Sequence, residues 1–171
     1  MTTRLGYTLG FLICAALLAF GLYLQYFEDQ EPCPLCMLQR AGFINMMVVF
    51  AVAAIHNPAR RYAFLYSALL FMMALMGGGI AARQVWLQHL PADKVPACGP
   101  GLEYMLKQFP WSDALRKILA GSGECAEAGW RFLGLTIAGW SLVWFVILGA
   151  LAVYVAVRAP RTTRALSSAA R

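Results

Sequence analysis

Four of the five cysteines form two pairs that could carry redox chemistry. Cys33 and Cys36 stand in the sequence Cys-Pro-Leu-Cys, and Cys98 and Cys125 flank a segment further along the chain. A C-x-x-C pair can be a structural disulfide, half of a metal site or a redox dithiol. Two neighbouring dithiols exchange by thiolate attack on a disulfide, which moves two electrons between them. The two pairs therefore indicate a thiol–disulfide relay, provided that they meet in space.

The surroundings of Cys36 favour its thiolate form. Pro32 and Pro34 hold the chain extended up to the pair, and an apolar helical run begins near Met37. Cys36 is thus expected at a helix N-terminus, where free N–H groups and the helix dipole stabilise a thiolate. Arg40 follows at i+4, on the same helical face. An arginine here can be an interfacial side chain that reaches toward water, but an ionisable residue inside a span is by default a functional candidate.

Composition places these residues in a membrane protein. Hydrophobic residues make up 61% of the 171-residue chain and charged residues 13%, with a mean hydropathy of +0.63. A helix needs about 20 apolar residues to cross the hydrocarbon core. Continuous apolar runs exclude a β-barrel, whose strands alternate. The sequence predicts an all-α membrane protein, a four-helix transmembrane bundle in a single domain over residues 1–171, with spans at about 5–27, 41–59, 63–82 and 132–157.

The distribution of charge predicts the orientation. Basic residues stay on the cytoplasmic side, and the N-terminus, the turn at 57–61 and the tail at 158–171 carry arginines without any acidic residue. All acidic residues fall in loops 28–40 and 83–131. We therefore expect both termini in the cytoplasm and both loops outside, the long one with short amphipathic helices lying on the lipid surface. Contact with anionic lipid explains the net charge of +6, so no nucleic-acid partner is predicted.

Two cysteine assignments have structural alternatives. Cys14 lies in the first span in the series Gly6, Gly10, Cys14, which is typical of close helix packing, so we interpret it as a packing residue. Cys98 and Cys125 could form a purely structural disulfide, worth about 3 to 4 kcal/mol in the chain-entropy model. A second, short-spaced pair on the same oxidising side favours exchange between the pairs instead.

No metal, flavin, nicotinamide or haem site is predicted. The segment 77–82 formally matches G-x-G-x-x-A, but it lies in the third span with no strand before it, so the required context fails. His56 and His89 fall near opposite ends of the bundle, which excludes a haem held by both. A Cys₄ zinc site in a non-enzymatic membrane protein remains an alternative, although it needs reduced thiols, which the outer compartment disfavours. Among redox cofactors, a lipid-soluble two-electron acceptor is what remains, but no motif in the sequence recognises the ring or the tail of such a molecule.

These residues together resemble the bacterial disulfide bond formation protein B family, DsbB, the inner-membrane quinone reductases. The resemblance covers essentially the whole chain: four spans, a C-x-x-C followed four residues later by Arg40, and a cysteine pair in the second external loop. The segment 123–127, Gly-Glu-Cys-Ala-Glu, with Trp130 and the sequence Phe-Leu-Gly-Leu at 132–135, is also similar to the family. The resemblance implies a multi-pass protein of the bacterial inner membrane.

The same resemblance implies a protein-dithiol:quinone oxidoreductase. A reduced periplasmic thiol oxidase similar to DsbA would attack the Cys98–Cys125 disulfide and form a mixed disulfide with Cys98. Cys125 would then exchange with Cys33, which leaves Cys36 as the thiolate that passes two electrons to ubiquinone or menaquinone. Arg40 would hold that thiolate and the negative charge that develops on the quinone oxygen.

Two further residues are candidates for lining the quinone pocket, Gln84 and Trp86. Some relatives carry a histidine near the outer end of the third span, and the nearest position here is Gln84, with His89 further along; the proton donor is therefore left unassigned. The vitamin K epoxide reductase family also relays electrons from loop cysteines to a C-x-x-C and a quinone. Its loop pair precedes the C-x-x-C, whereas here it follows, so chain order argues against that alternative.

Overall fold

The structure is a computed structural model with four long helices and a small hairpin. It describes residues 2–28, 30–94, 110, 112–113, 118–119, 121, 123–127 and 129–160. Cys98, most of the second external loop with its expected amphipathic helices, and the tail after residue 160 lie outside these residues. The described elements are α1 (Thr3–Phe27), α2 (Pro34–His56), α3 (Arg60–Leu87), a 3₁₀ turn (Ala92–Lys94), α4 (Gly123–Ala126), β1 (Arg131–Phe132), β2 (Leu135–Thr136) and α5 (Ile137–Arg158).

The helical membrane fold predicted from composition is confirmed. Helices α1, α2, α3 and α5 are each long and apolar enough to cross a membrane. Helix α3 packs most extensively against α5, and α1 against α2, whereas the contact between α1 and α5 is smaller. This uneven packing leaves space between α1 and α5, where the candidate site lies.

Helix α2 begins before the apolar run that marked the second span. The span was expected from residue 41, but the helix starts at Pro34, with Cys33 as its N-cap. Proline is favoured in the first helical turn because its fixed φ suits the helix and its missing N–H leaves no donor unsatisfied. The polar residues that the hydropathy pattern assigned to a loop therefore form the first turns of α2, which fixes the directions of Cys36 and Arg40.

Helix α5 begins later than the predicted fourth span. The chain from residue 131 to 136 forms a two-stranded antiparallel hairpin, in which Arg131 pairs with Thr136. Its two turn residues, Leu133 and Gly134, both have positive φ, 49° and 82°, as the two-residue turns that join twisted strands require. Thr136 then caps α5 by accepting a hydrogen bond from the Gly139 N–H at 3.2 Å. The hairpin was not predicted because its strands have only two residues each.

Close packing in the middle of the bundle depends on glycine. The Phe145 ring of α5 stacks on Phe43 of α2, with ring centres 4.1 Å apart. A side chain at Gly77 of α3 would overlap the Phe145 ring, and one at Gly42 of α2 would be crowded by it. One aromatic side chain thus joins three helices. Cys14 is fully buried in the same hydrophobic core.

The two ends of the bundle are built from different segments. At one end, the N–H of Arg60 donates to the carbonyl of Pro160 at 3.1 Å, which joins the start of α3 to the end of α5. Near that end the Tyr7 hydroxyl donates to the Ala63 carbonyl at 3.2 Å. The opposite end holds the start of α2, the end of α3, α4 and the hairpin. The described cysteines of the two pairs lie at that opposite end.

Candidate functional site

Cys33 and Cys36 form a hydrogen-bonded dithiol in the first turn of α2. Cys33 Sγ lies 3.1 Å from Cys36 Sγ and donates to it. Cys33 Sγ also accepts from the Cys36 N–H at 3.4 Å, which makes it the helix cap. Cys36 was expected at a helix N-terminus, and it lies in the first turn of α2. The capping N–H of Cys36 points at Cys33, while Cys36 Sγ is held by the side chains of Cys33 and Gln84 and by a backbone hydrogen bond from Cys33.

Gln84 of α3 contacts both sulfur atoms of the dithiol. Its Nε2 lies 3.2 Å from Cys36 Sγ and 3.3 Å from Cys33 Sγ. Its Oε1 accepts a hydrogen bond from Gln39 Nε2 at 2.7 Å. Both glutamines are only 3% exposed. Gln84 was expected as a candidate quinone contact, and the structure places its amide directly against both sulfur atoms.

Gln39 was not predicted as a site residue, although one feature of the sequence indicated it. It is a polar residue at i+3 from Cys36, within the same turn as Arg40. A primary amide inside an apolar bundle needs hydrogen-bond partners. Burying it without them lowers the stability of the protein by about 1–3 kcal/mol. A buried glutamine one turn from a reactive thiol therefore indicates a partner on a neighbouring helix, but the sequence does not show which one.

Cys125 lies against the dithiol although it is far from it in the sequence. It is fully buried in α4, in one apolar cluster with Cys33, Leu35 and Leu87. Its side chain is in hydrogen-bond contact with Cys33. Hydrogen bonds to Cys125 and to Cys36, together with burial, raise the pKa of the Cys33 thiol well above its ordinary value. Cys33 thus keeps its proton and contacts a sulfur on either side.

Arg40 extends from α2 toward α1. Its guanidinium donates through Nη1 to Gln25 Oε1 and through Nη2 to the Gly21 carbonyl at 2.9 Å. Both partners are neutral acceptors, so these hydrogen bonds position the guanidinium without neutralising its charge. A positive charge in a poorly solvated site is available to an anion nearby. Arg40 and Cys36 line the same cavity, as expected from their shared helical face.

A cavity of about 800 Å³ opens between α1 and α5 beside these residues. Its volume is within the usual range of small-molecule sites. Chemically, the lining is apolar on the α1 and α5 sides and polar where it meets the sulfurs. The polar part consists of Gln30, Glu31, Cys33, Cys36, Gln39, Arg40, Gln84, Gln88, Glu124, Glu127, Thr136 and Ser141. A planar ring with two carbonyl oxygens could find both an apolar enclosure and hydrogen-bond donors here.

Aromatic side chains cover the mouth of this cavity. Trp130 packs edge-on against Phe20 of α1, with ring centres 5.6 Å apart, and stacks on Phe132 of the hairpin at 5.8 Å. Phe132 in turn contacts Trp140 of α5. All four rings line the cavity. The Trp130 N–H donates to Gln30 Oε1 at 3.2 Å, which ties this cover to the loop before Cys33.

Trp86 is placed differently from the other candidate pocket residues. It is 52% exposed, and the Arg83 guanidinium lies 4.3 Å above its ring. It is not among the residues that line the cavity. A quinone contact by Trp86 therefore stays a prediction. The ring of His89, further along, donates through Nδ1 to the Val85 carbonyl at 2.7 Å.

No metal-binding arrangement occurs among the described residues. No group of three or more His, Cys, Asp or Glu side chains is arranged there to hold an ion. Cys98, the fourth ligand of the zinc alternative, lies outside them. What the described part of the site can do is exchange disulfides among adjacent sulfurs and hold a negative charge through Gln84 and Arg40.

Comparison with known proteins gives a consistent result along the chain. The family model "Disulfide bond formation protein DsbB" matches residues 3–155. Disulfide bond formation protein B of Hahella chejuensis is 52% identical over 161 residues, which are 94% of this chain and 98% of that protein. The protein of the same name from Nitrosococcus oceani is 50% identical over 154 residues, 90% of this chain and 91% of that one.

A third relative has the same name. Disulfide bond formation protein B of Marinobacter nauticus is 48% identical over 158 residues, 92% of this chain and 94% of that protein. The resemblance inferred from the cysteines and from Arg40 is thereby confirmed, as are the transmembrane helices and the redox class. The chain is a member of the DsbB family of disulfide bond formation proteins.

Proposed function

We propose that this protein is a protein-dithiol:quinone oxidoreductase that reoxidises a periplasmic thiol oxidase similar to DsbA. The observation that carries the proposal is the position of Cys33, whose sulfur contacts both Cys36 and Cys125 at the edge of the cavity. A sulfur between two others is what an exchange step between two pairs requires, because the attacking and leaving sulfurs must reach the same central atom.

The first half of the reaction uses the loop pair. A thiolate of the reduced partner attacks Cys98 of the Cys98–Cys125 disulfide, forms a mixed disulfide and releases Cys125 as a thiolate. The second thiol of the partner attacks the mixed disulfide, so the partner leaves oxidised. The assignment of Cys98 as the attacked sulfur rests on the family pattern alone.

The second half uses the pair at the start of α2. Cys125 attacks Cys33 of the Cys33–Cys36 disulfide, forms a Cys33–Cys125 bond and releases Cys36 as a thiolate. The contact between Cys33 and Cys125 supports this step, since the new bond joins neighbouring atoms. Cys98 then attacks Cys125 of the Cys33–Cys125 bond, which restores the Cys98–Cys125 disulfide and leaves Cys33 and Cys36 reduced. This dithiol gives up two protons and, through Cys36, two electrons at the cavity, and the Cys33–Cys36 disulfide is restored. The sum is one partner dithiol and one quinone converted to one partner disulfide and one quinol.

The residues of the cavity fit a quinone. A quinone supplies a lipid-soluble acceptor for two electrons and two protons, and ubiquinone and menaquinone both meet this need. Arg40 would donate to a carbonyl oxygen and stabilise the negative charge that develops there, because its described partners leave that charge available. Apolar side chains of α1 and α5 would enclose the ring. The space between these two helices gives a lipid-soluble molecule a route from the bilayer.

The location follows from the same chemistry. The site needs an oxidising compartment, because the loop pair must persist as a disulfide between turnovers. We therefore place the sulfurs on the periplasmic face of a bacterial inner membrane and both termini in the cytoplasm, as the basic residues at the opposite end of the bundle favour.

Anaerobic turnover tests this function. The purified protein is mixed with a reduced thioredoxin-fold oxidase and a quinone, and the quinone absorbance is followed together with the free thiols of the oxidase. We expect one quinone to be reduced for each partner dithiol oxidised, with Cys14→Ala as a control that turns over normally. Partner oxidation without loss of the quinone signal would contradict the proposed acceptor, and no partner oxidation would contradict the proposed substrate.

A further inference from the structure

Two buried amides lie beside the sulfurs, and the relay described above does not use them. Gln39 of α2 and Gln84 of α3 are both nearly inaccessible and are joined by the 2.7 Å hydrogen bond from Gln39 Nε2 to Gln84 Oε1. Apolar side chains at these two positions would let the helices pack together without the free-energy cost of removing two amides from water. The pair therefore calls for a role beyond joining α2 to α3.

The Gln39 contact decides which end of the Gln84 amide faces the sulfurs. The nitrogen of an amide only donates, so Gln39 Nε2 must meet the oxygen of Gln84. The Gln84 nitrogen then lies 3.2 Å from Cys36 Sγ and 3.3 Å from Cys33 Sγ. Its N–H groups point at the two atoms whose charge changes during exchange.

The two orientations of this amide suit different forms of Cys36. With its nitrogen toward the sulfur, Gln84 stabilises a thiolate, since a hydrogen bond to an ionised acceptor is about twice as strong as a neutral one. With its oxygen toward the sulfur, Gln84 would accept a hydrogen bond from a thiol and repel a thiolate. Gln84 Oε1 lies 3.6 Å from Cys36 Sγ, farther than the nitrogen at 3.2 Å, so the donating arrangement is the one present.

Arg40 does not duplicate this interaction. Its described hydrogen bonds go to Gln25 and Gly21 on α1, whereas the Gln84 amide touches the sulfurs from α3. An amide also stays neutral at every pH, so it adds a donor without placing a second positive charge in the apolar cavity. The two groups thus approach the reacting atoms from different helices.

We propose that Gln84 is a catalytic residue that holds the negative charge on Cys36 before electrons leave it, and that Gln39 is a positioning residue that keeps the Gln84 amide in its donating orientation. The inference deepens the proposed function and rests on it for the identity of Cys36 as the electron-donating sulfur. It also makes the charge at Cys36 depend on a polar contact between α2 and α3, next to the point where Cys125 docks.

The test is the pH profile of Cys36 alkylation in the full-length, fully reduced protein in detergent. Iodoacetamide is the probe, and labelling of the Cys36 peptide is quantified by mass spectrometry. We expect Gln84→Leu to slow labelling about tenfold on the acidic side of the profile and to shift the profile to higher pH by about one unit. Gln84→Glu keeps the shape and the acceptor but replaces the donor with a negative charge, so its shift should be larger.

The role of Gln39 is tested by comparing the single variants with a double variant. Gln39→Leu should shift the profile in the same direction by a smaller amount, and it should add nothing in a Gln84→Leu background, because it acts only through Gln84. Ser67→Ala removes another buried polar side chain of α3 and should leave the profile unchanged. Size-exclusion chromatography checks the folding of each variant, and Gln84→Glu carries the test if Gln84→Leu does not fold.

The outcomes separate this inference from the proposed function. Unshifted profiles in the Gln84 variants would overturn the role of Gln84, and a full additional shift from Gln39→Leu in the Gln84→Leu background would overturn the positioning role of Gln39. The labelling needs neither partner nor quinone. A wild-type protein that fails to reduce quinone would therefore overturn the proposed function while the profiles still report on the amides.

Discussion

Cys33 and Cys125 are in hydrogen-bond contact, although one begins α2 and the other lies in α4 close to the last helix. The contact joins the two cysteine pairs that the sequence shows as separate motifs. It forms because α4 packs against the ends of α2 and α3, where Leu35 and Leu87 bury Cys125 in an apolar cluster. The relay thus depends on ordinary hydrophobic packing to bring one sulfur to another.

Loss of either sulfur at the start of α2 should abolish quinone reduction. We expect Cys33→Ser and Cys36→Ser to lose turnover completely, because each removes one half of the disulfide through which electrons pass. Cys14→Ala should keep nearly full activity, since Cys14 is packed in the core away from the described site. Steady-state quinone reduction measures all three. An inactive but well-folded Cys14→Ala protein would contradict the assignment.

Arg40→Ala should weaken the use of quinone more than the use of the partner. A hydrogen bond to a charged group contributes about 1.5–3 kcal/mol, which corresponds to a loss of about ten- to a hundredfold in kcat/KM for quinone. Arg40→Lys keeps the charge but loses one of the two contacts to α1 and should be milder. The rate at which the partner attacks the loop disulfide and forms the mixed disulfide should be unchanged. Equal quinone kinetics in wild type and Arg40→Ala would return Arg40 to a purely interfacial role.

The reduced protein should lose stability as the pH rises into the alkaline range. The folded state raises the pKa of Cys33, so above the unfolded value of about 8.5 the unfolded chain releases a proton that the folded chain keeps. Stability is then fully present below about pH 8.5 and falls as the pH increases toward the folded value. Thermal denaturation between about pH 7 and 10 measures this effect.

Two controls isolate the contribution of Cys33. Cys33→Ser should flatten the alkaline decline, because the titrating group is gone. Oxidised protein, in which Cys33 is held in a disulfide, should also decline less than the reduced protein. A decline of equal size in the reduced wild type and in Cys33→Ser would show that other groups cause it.

The hairpin before α5 should depend on the backbone conformation of Gly134. An added Cβ would meet nothing within 4 Å at either Gly134 or Gly79, but only Gly134 has positive φ, 82°. Gly134→Ala should therefore destabilise by about 1–2 kcal/mol, while Gly79→Ala, within α3, should be neutral or stabilising. Thermal unfolding of the two variants compares them directly. A higher unfolding temperature for Gly134→Ala than for wild type would contradict the geometry.

The sequence predicts the membrane helices well because continuous apolar runs are enough to identify them. It predicts the start of α2 and of α5 poorly, because those boundaries depend on local features: the Cys33 cap before Pro34, and a hairpin turn at Leu133 and Gly134. The hydropathy pattern averages over such short features.

The candidate site was likewise predicted only in part from the sequence. Cysteine spacing and Arg40 were sufficient to identify the family, but the amide of Gln84 and its partner Gln39 were not assigned to the sulfurs. Their roles depend on how α2 and α3 pack, which no local pattern encodes. The contact of Trp130 with Phe20 was likewise not predicted, because it joins distant parts of the chain.

Direct cross-linking of Cys33 to Cys125 tests the central claim, that the two pairs meet through these sulfurs. In a Cys36→Ala, Cys98→Ala double variant, a chemical oxidant such as diamide should join Cys33 to Cys125 rapidly and nearly completely, as peptide mass spectrometry would show. A matched Cys33→Ala, Cys98→Ala variant should form far less of any Cys36–Cys125 bond. If Cys33 and Cys125 instead remain as free thiols in folded protein, the relay through Cys33 is contradicted.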